Sequence, residues 1–150
     1  MSYRFYFMPR IDMTSMTPGR IAAQATHAAH HFSHTMEHDY AGIGHGTIRE
    51  AFETWKSETH YGFGTTIVLA PPRNSENVDY FNSILRKCLN DVNVSRVSAT
   101  RPLIDPEYVL RDGETTHVIK DVMTGIWSFC DQDRSYEIFT DADLFDLNFK

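Results

Sequence analysis

Met16-Thr17-Pro18-Gly19-Arg20-Ile21-Ala22-Ala23-Gln24-Ala25-Thr26-His27-Ala28 reads as the start of a helix, and the frame of the fold follows from where that helix stands. Thr17 offers a side-chain oxygen as cap. Pro18 at the first helical position loses no hydrogen bond, because its missing N–H would be unpaired there anyway. The pattern carries the helix from Pro18 to about His34, with His38 as the outer limit. Ile21, Ala25, Ala28, Ala29 and Phe32 form a core stripe at helical spacing. The small alanines allow another backbone to approach closely. Upstream, residues 2–8 are short and aromatic-rich, which suits a strand in the middle of a sheet. Pro9 ends that strand, and residues 10–17 form a polar loop.

Downstream, a glycine-rich break runs from Ala41 to Gly46. Thr47-x-x-Glu50 then reads as a capping box, with Ile48, Phe52 and Trp55 at helical spacing to about Ser57. Thr65 to Ala70 is a buried strand stopped by Pro71-Pro72. Asn74-Ser75 opens a third helix, with Val78, Phe81, Ile84, Leu85, Cys88 and Leu89 on one face. Val92 to Ala99 alternates as a half-buried strand does. Residues 101–120 contain Pro102, Pro106 and Gly113 and read as a hairpin excursion. Thr124 to Cys130 is the last clear strand. The order strand–helix–helix–strand–helix–strand–strand predicts a three-layer α/β domain with a mostly parallel sheet. Working sites in such sheets lie beyond the carboxyl ends of the strands. The 10–19 loop leaves the first strand there.

The 150 residues form one domain on length alone, and 41% apolar against 23% charged residues is a globular balance. Fourteen Lys and Arg against twenty Asp and Glu give a net charge of −6. That excludes a polybasic, histone-like nucleic-acid binder, which needs clustered positive charge. No apolar run reaches the ~18 residues that a membrane span requires. Cys88 and Cys130 read as reduced core residues of a cytoplasmic protein. The charge is uneven. Residues 131–150 hold six acids and two bases, an acidic C-terminal extension to a body at 1–130 that is close to neutral. Arg10, Arg20, Arg101 and Arg111 fall in or beside the loops expected to flank a cleft, so a basic mouth is expected there. An acidic tail that competes for this mouth predicts stronger RNA binding on its deletion.

Arg20, Gln24, His27, His31 and His34 share one helix face. The bland reading is a solvated surface; the sharper one is the wall of a site at a helix start, where free backbone donors favour an anion. The i, i+4 pairs His27/His31, His30/His34 and His34/His38 have chelating spacing. No nearby acid or cysteine completes a zinc set, so no metal and no cofactor is expected.

The stretch Met16 to Ala28 resembles the signature of the type II peptidyl-tRNA hydrolases, in which a loop ending in Gly-Lys opens a helix with Ile-Ala-Ala-Gln-x-x-His-Ala. Trp55, the strand Thr65 to Ala70, and Val109-Leu110-Arg111-Asp112 followed by Thr116 and Thr124 continue the resemblance, which covers roughly residues 3–130. It implies a four-stranded mixed sheet with helices on both faces, and often a homodimer. It also implies hydrolysis of the ester that joins a peptide to the 3′ ribose of tRNA, with peptidyl-tRNA as the partner.

The resemblance further implies roles. Asp112 or Asp105 orients or deprotonates a water. Thr124, and Thr116 if the carboxylate is Asp112, supply hydroxyls. His27 shuttles a proton, as imidazole does near neutral pH. Gln24 positions substrate or a neighbour. The loop positions of Arg10 and Arg111, apart from the resemblance, make them expected substrate-binding residues. Two registers remain. In one, Asp112 is the family carboxylate; in the other it is Asp105, and 106–119 is an inserted hairpin before Thr124. Arg20 stands where the family has lysine. It keeps the positive charge, but a guanidinium does not give up its proton at physiological pH. Two other classes of function follow: a non-catalytic relative that binds tRNA or a protein, and a histidine-rich metal protein.

Overall fold

The computed structural model describes residues 2–42, 46–89, 98–112 and 114–146, with the side chains of Arg111 and Asp112 outside that description. The chain runs β1 (Tyr3–Pro9), α1 (Pro18–His38), α2 (Gly46–Lys56), β2 (Thr66–Ala70), α3 (Asn77–Leu89), β3 (Ala99–Asp112), β4 (Thr115–Asp131), α4 (Gln132–Ile138) and β5 (Asp143–Leu144). The expected strand over 92–97 and the 43–45 part of the glycine-rich break lie outside the described residues.

These elements form a mixed α/β sheet of five strands in the order β3-β4-β1-β2-β5. Only β1 and β2 pair in parallel; the other pairings are antiparallel. The mostly parallel sheet expected from the element order is therefore corrected to a mixed one, and the four strands expected of the mixed sheet become five. The helical crossovers do make β1, β2 and β3 run the same way. However, the chain turns back directly after β3, and β4 inserts between β3 and β1. A fifth strand, two residues long, then closes the β2 edge.

Alternation along β1 divides the core. Phe5 and Phe7 face α1 and α2, with Phe32, Phe52, Trp55, Trp127 and Phe129. Tyr6 and Met8 face α3 and α4, with Phe81, Ile84, Ile126 and Ile138. Each such fully buried side chain contributes about 1.5–3 kcal/mol. Helices thus lie on both faces. α1 begins as its sequence predicts: Pro18 stands in the first turn, and Thr17 caps the helix by accepting from the Arg20 N–H. Its buried face is rotated from the expected stripe. Gln24, Ala28, Phe32, Thr35 and Met36 are buried, Ile21 and Ala25 are half-buried, and Ala29 is exposed.

The acidic segment after 130 is partly structural. Asp131 caps α4 by accepting from the Arg134 N–H, Ile138 and Phe139 are buried, and Asp143–Leu144 pairs with β2. Deleting the segment would strip the second core, so deletion does not isolate the electrostatic effect of its acids. Neither Cys88 nor Cys130 is in a disulfide. Burial pushes the Cys130 thiol up to about 12, so it stays protonated. No helix of the described residues is long and apolar enough to cross a membrane.

Candidate functional site

The site is built where β3 and β4 outrun the rest of the sheet. Pro9, the last residue of β1, pairs with Gly125, and Gly125 pairs with Leu103. A Cβ at Gly125 would lie 2.7 Å from the Met8 carbonyl oxygen, so glycine lets β4 sit tight on β1. One residue earlier the ladder slips: Leu103 pairs with Gly125 but Ile104 with Met123. Thr124 is the extra residue of this β-bulge, a device that bends a strand and re-aims a side chain. Beyond it the two strands leave the sheet as an arm, residues 104–112 and 115–123. Asp121, opposite Pro106 in that arm, has a positive φ of 56°.

At the bulge three polar side chains meet. The Thr124 hydroxyl, fully buried, donates to Gln24 Oε1 at 2.7 Å. Gln24 Nε2 donates to Asp105 Oδ2 at 3.0 Å. The Glu107 backbone N–H donates to the other Asp105 oxygen, also at 3.0 Å. Gln24 is buried, yet both ends of its amide are bonded, and that satisfaction is what makes its burial tolerable. Asp105 is half-buried. It presents a carboxylate of fixed orientation at the C-terminal end of β1, beside the first turns of α1.

Arg20 and Tyr108 close the group from above. Arg20 Nη1 donates to the Val109 carbonyl at 2.6 Å and reaches the Tyr108 hydroxyl at 3.4 Å, and its guanidinium lies 5.4 Å from the centroid of the Tyr108 ring. The Tyr108 hydroxyl also bonds Ser15 at 2.9 Å. Tyr108 is the buried side chain of the arm among its described side chains. Below, the Arg10 N–H donates to the Thr124 carbonyl at 2.8 Å. The Arg10 side chain pairs with Asp12 at 2.6 Å and reaches the Met123 carbonyl. Asp12 and the Ile11 N–H both bond Asn77, which ties the 10–17 loop to the start of α3.

Of the residues expected from sequence, the structure brings together Arg20, Gln24, Asp105 and Thr124, with Arg10 beneath them. It does not bring in Asp112 or Thr116. Asp112 lies seven residues up the arm from Asp105, roughly 23 Å away at about 3.3 Å per residue. Thr116 is exposed and pairs with Arg111 near the arm tip. Arg111 therefore also stands at the tip. Arg101 is drawn elsewhere: its guanidinium stacks on Tyr40, past the far end of α1. The expected basic mouth is reduced to Arg10 and Arg20, both already bonded to this chain. His27 is exposed, on the flank of α1.

The polar face read from sequence thus separates by depth. His31 receives the Trp127 Nε1 hydrogen bond on Nδ1 at 3.0 Å, and burial, with Arg101 nearby, pushes its pKa below the usual histidine value. His34 and His38 lie with ring centroids 4.2 Å apart on the exposed side. Among the described residues no group of three or more His, Cys, Asp or Glu could hold a metal ion. Tyr108, Ser15 and the Val109 carbonyl were not legible as site components. Their signal lies only in the three-dimensional return of the arm over the helix start. No family model and no curated protein matches the chain.

Proposed function

We propose that the chain hydrolyses the ester bond between peptide and tRNA, with Asp105 as the carboxylate that engages the water. The observation that carries this reading is the bonded set Thr124–Gln24–Asp105. Three residues distant in sequence, all named by the resemblance to type II peptidyl-tRNA hydrolases, meet at one point. The residues 106–119 then stand as an insertion between Asp105 and Thr124. In the proposed step a water adds to the ester carbonyl carbon, its proton passes to Asp105, and the ribose 3′ oxygen leaves with that proton. Thr124 and Gln24 act as positioning residues, each fixing the next group in the chain. Arg20 has further N–H donors beyond those bonded to the arm, and these would face a phosphate or the developing oxyanion.

The test is release of tRNA from a peptidyl-tRNA by the wild type, Asp105→Asn and Asp112→Asn. The expected result is a fall of about 10²–10⁴ for Asp105→Asn and a wild-type rate for Asp112→Asn. A wild type without turnover, or equal losses in both variants, overturns the assignment.

One observation favours a second reading, a non-catalytic tRNA- or protein-binding relative. Arg20 is committed to the Val109 carbonyl and Tyr108, and so serves as an internal clasp for the arm. Turnover that appears only in Arg20→Lys, with unchanged tRNA binding by both forms, selects this second reading.

A further inference from the structure

The far end of α1 carries chemistry that the Asp105 group does not use. His30, His34 and His38 follow one another at four-residue intervals along the exposed side of the helix. Residues four apart on a helix stand one above the other. His34 is fourteen residues from Arg20, roughly 21 Å along the axis at about 1.5 Å per residue, so this row is separate from the candidate site. His31 does not join it. That residue is half-buried and commits Nδ1 to the Trp127 indole at 3.0 Å.

His34 and His38 are both exposed, and their ring centroids lie 4.2 Å apart with the planes tilted at 43°. Two imidazoles that share one zinc-sized cation at about 2.0–2.1 Å, with about 90–110° between the two bonds, have centroids roughly 4.5–5.2 Å apart. Small side-chain rotations cover that difference without moving the backbone. The helix holds the spacing in advance. α1 is continuous through both residues, and the Asp39 N–H closes its last turn on the Thr35 carbonyl at 2.8 Å. That turn is the negative end of the helix dipole, where a cation is favoured, and the exposed acids Glu37 and Asp39 stand beside it. Two arginines around the turn are already engaged: Arg49 with the Met36 carbonyl and Glu53, and Arg101 with the Tyr40 ring.

We propose that His34 and His38 form a two-point chelate for a divalent late transition cation, of the Ni²⁺, Cu²⁺ and Zn²⁺ class that imidazole suits. Among the described residues no third His, Cys, Asp or Glu completes the set, so water fills the rest of the coordination shell. The site is therefore open and exchangeable, unlike the closed four-ligand zinc centre that the sequence leads one not to expect. Mg²⁺, which takes oxygen ligands and dehydrates reluctantly, is not held by it. This inference does not rest on the hydrolase reading, because it uses the other end of α1 and none of the same residues.

The test titrates the full, untagged chain with NiCl₂ in a calorimeter, with MgCl₂ as the control for simple charge attraction. The wild type saturates with one Ni²⁺ at submillimolar metal and does not bind Mg²⁺. His34→Gln and His38→Gln each weaken Ni²⁺ binding by at least about tenfold, because a single imidazole loses the gain of two-point attachment. His30→Gln, one turn up the same row, binds Ni²⁺ as the wild type does. All three substitutions are at exposed positions, so the metal-free proteins keep the wild-type circular dichroism and Tm. Ni²⁺ raises the Tm of the wild type, since it binds the preformed helical pair, and raises that of His34→Gln less. The proposal is overturned by Ni²⁺ binding that does not saturate below millimolar metal, by equal affinity for Mg²⁺, by a His34→Gln or His38→Gln protein that binds Ni²⁺ as the wild type does, or by a loss in His30→Gln as large as that in His38→Gln.

Discussion

Below Thr124 and above it, the same two strands live in different worlds. Inside the sheet, Ile126, Trp127, Ser128, Phe129 and Cys130 of β4 are all fully buried. In the arm, every described residue from Glu114 to Asp121 is exposed, and Val118 and Ile119 show apolar side chains to solvent. The hydrogen-bond ladder continues through both halves with a single slip. Backbone pairing alone therefore does not distinguish core from arm. Side-chain burial fixes the lower half, while the upper half is anchored through Tyr108, with Ser15 and Arg20 as its bonded partners. The candidate site sits at the border, where the first regime ends.

The largest effect that separates the halves should come from Trp127→Ala. It empties the largest fully buried side-chain position and costs about 3–5 kcal/mol in denaturant unfolding. The matching change in the arm, Val118→Ala, should stay within about 0.5 kcal/mol. Equal losses would mean that the arm is part of the cooperative core. Next is Thr124→Val, which keeps the shape and leaves buried Gln24 Oε1 without its donor. It should cost about 1–3 kcal/mol, with Thr124→Ser recovering most of it.

Smaller still is Tyr108→Phe, which removes the hydroxyl bond to Ser15. About 0.5–1.5 kcal/mol is expected, seen as faster hydrogen exchange in the arm amides with β1 unchanged. Uniform acceleration throughout would show that the arm does not open separately.

The smallest effect is the pH response of His31. Its folded pKa lies below the unfolded one, so the unfolded chain binds the proton first as pH falls. Stability is then full above about 6.5, declines below that value, and levels off once the folded protein also protonates. Protonation at Nδ1 breaks the Trp127 bond, so Trp127 emission should change in the same window. His31→Gln should flatten that part of the profile; an unaltered profile would remove His31 as its source.

The start of α1 was legible because its signals are local: a capping oxygen, a proline in the first turn and helical spacing. Gln24 was legible as a site residue by its motif but not as a buried one, because a glutamine is buried only where partners satisfy it. Those partners, Thr124 and Asp105, are 100 and 81 residues away. The choice between Asp105 and Asp112 was closed to sequence for a related reason. Both precede Thr124 within one hairpin, and only the ladder's register places one at its base and the other at its tip. Strand adjacency was hidden too, since which strand β4 joins depends on both faces of β1. α4 and β5 were masked by the acids around them; Ile138 and Phe139 are a thin apolar signal.

The place of β4 between β3 and β1 has a consequence for how this protein is made. Tyr3 pairs with Asp131 and Pro9 with Gly125, so β1, synthesised well before β4, waits for it. At about 5–20 residues per second, that wait is roughly 6–25 s, during which the aromatic face of β1 lacks its antiparallel neighbour. Pairings so distant in sequence are slow to form and aggregation-prone until they do. The biosynthetic hazard of this chain is therefore concentrated in the aromatic run of β1.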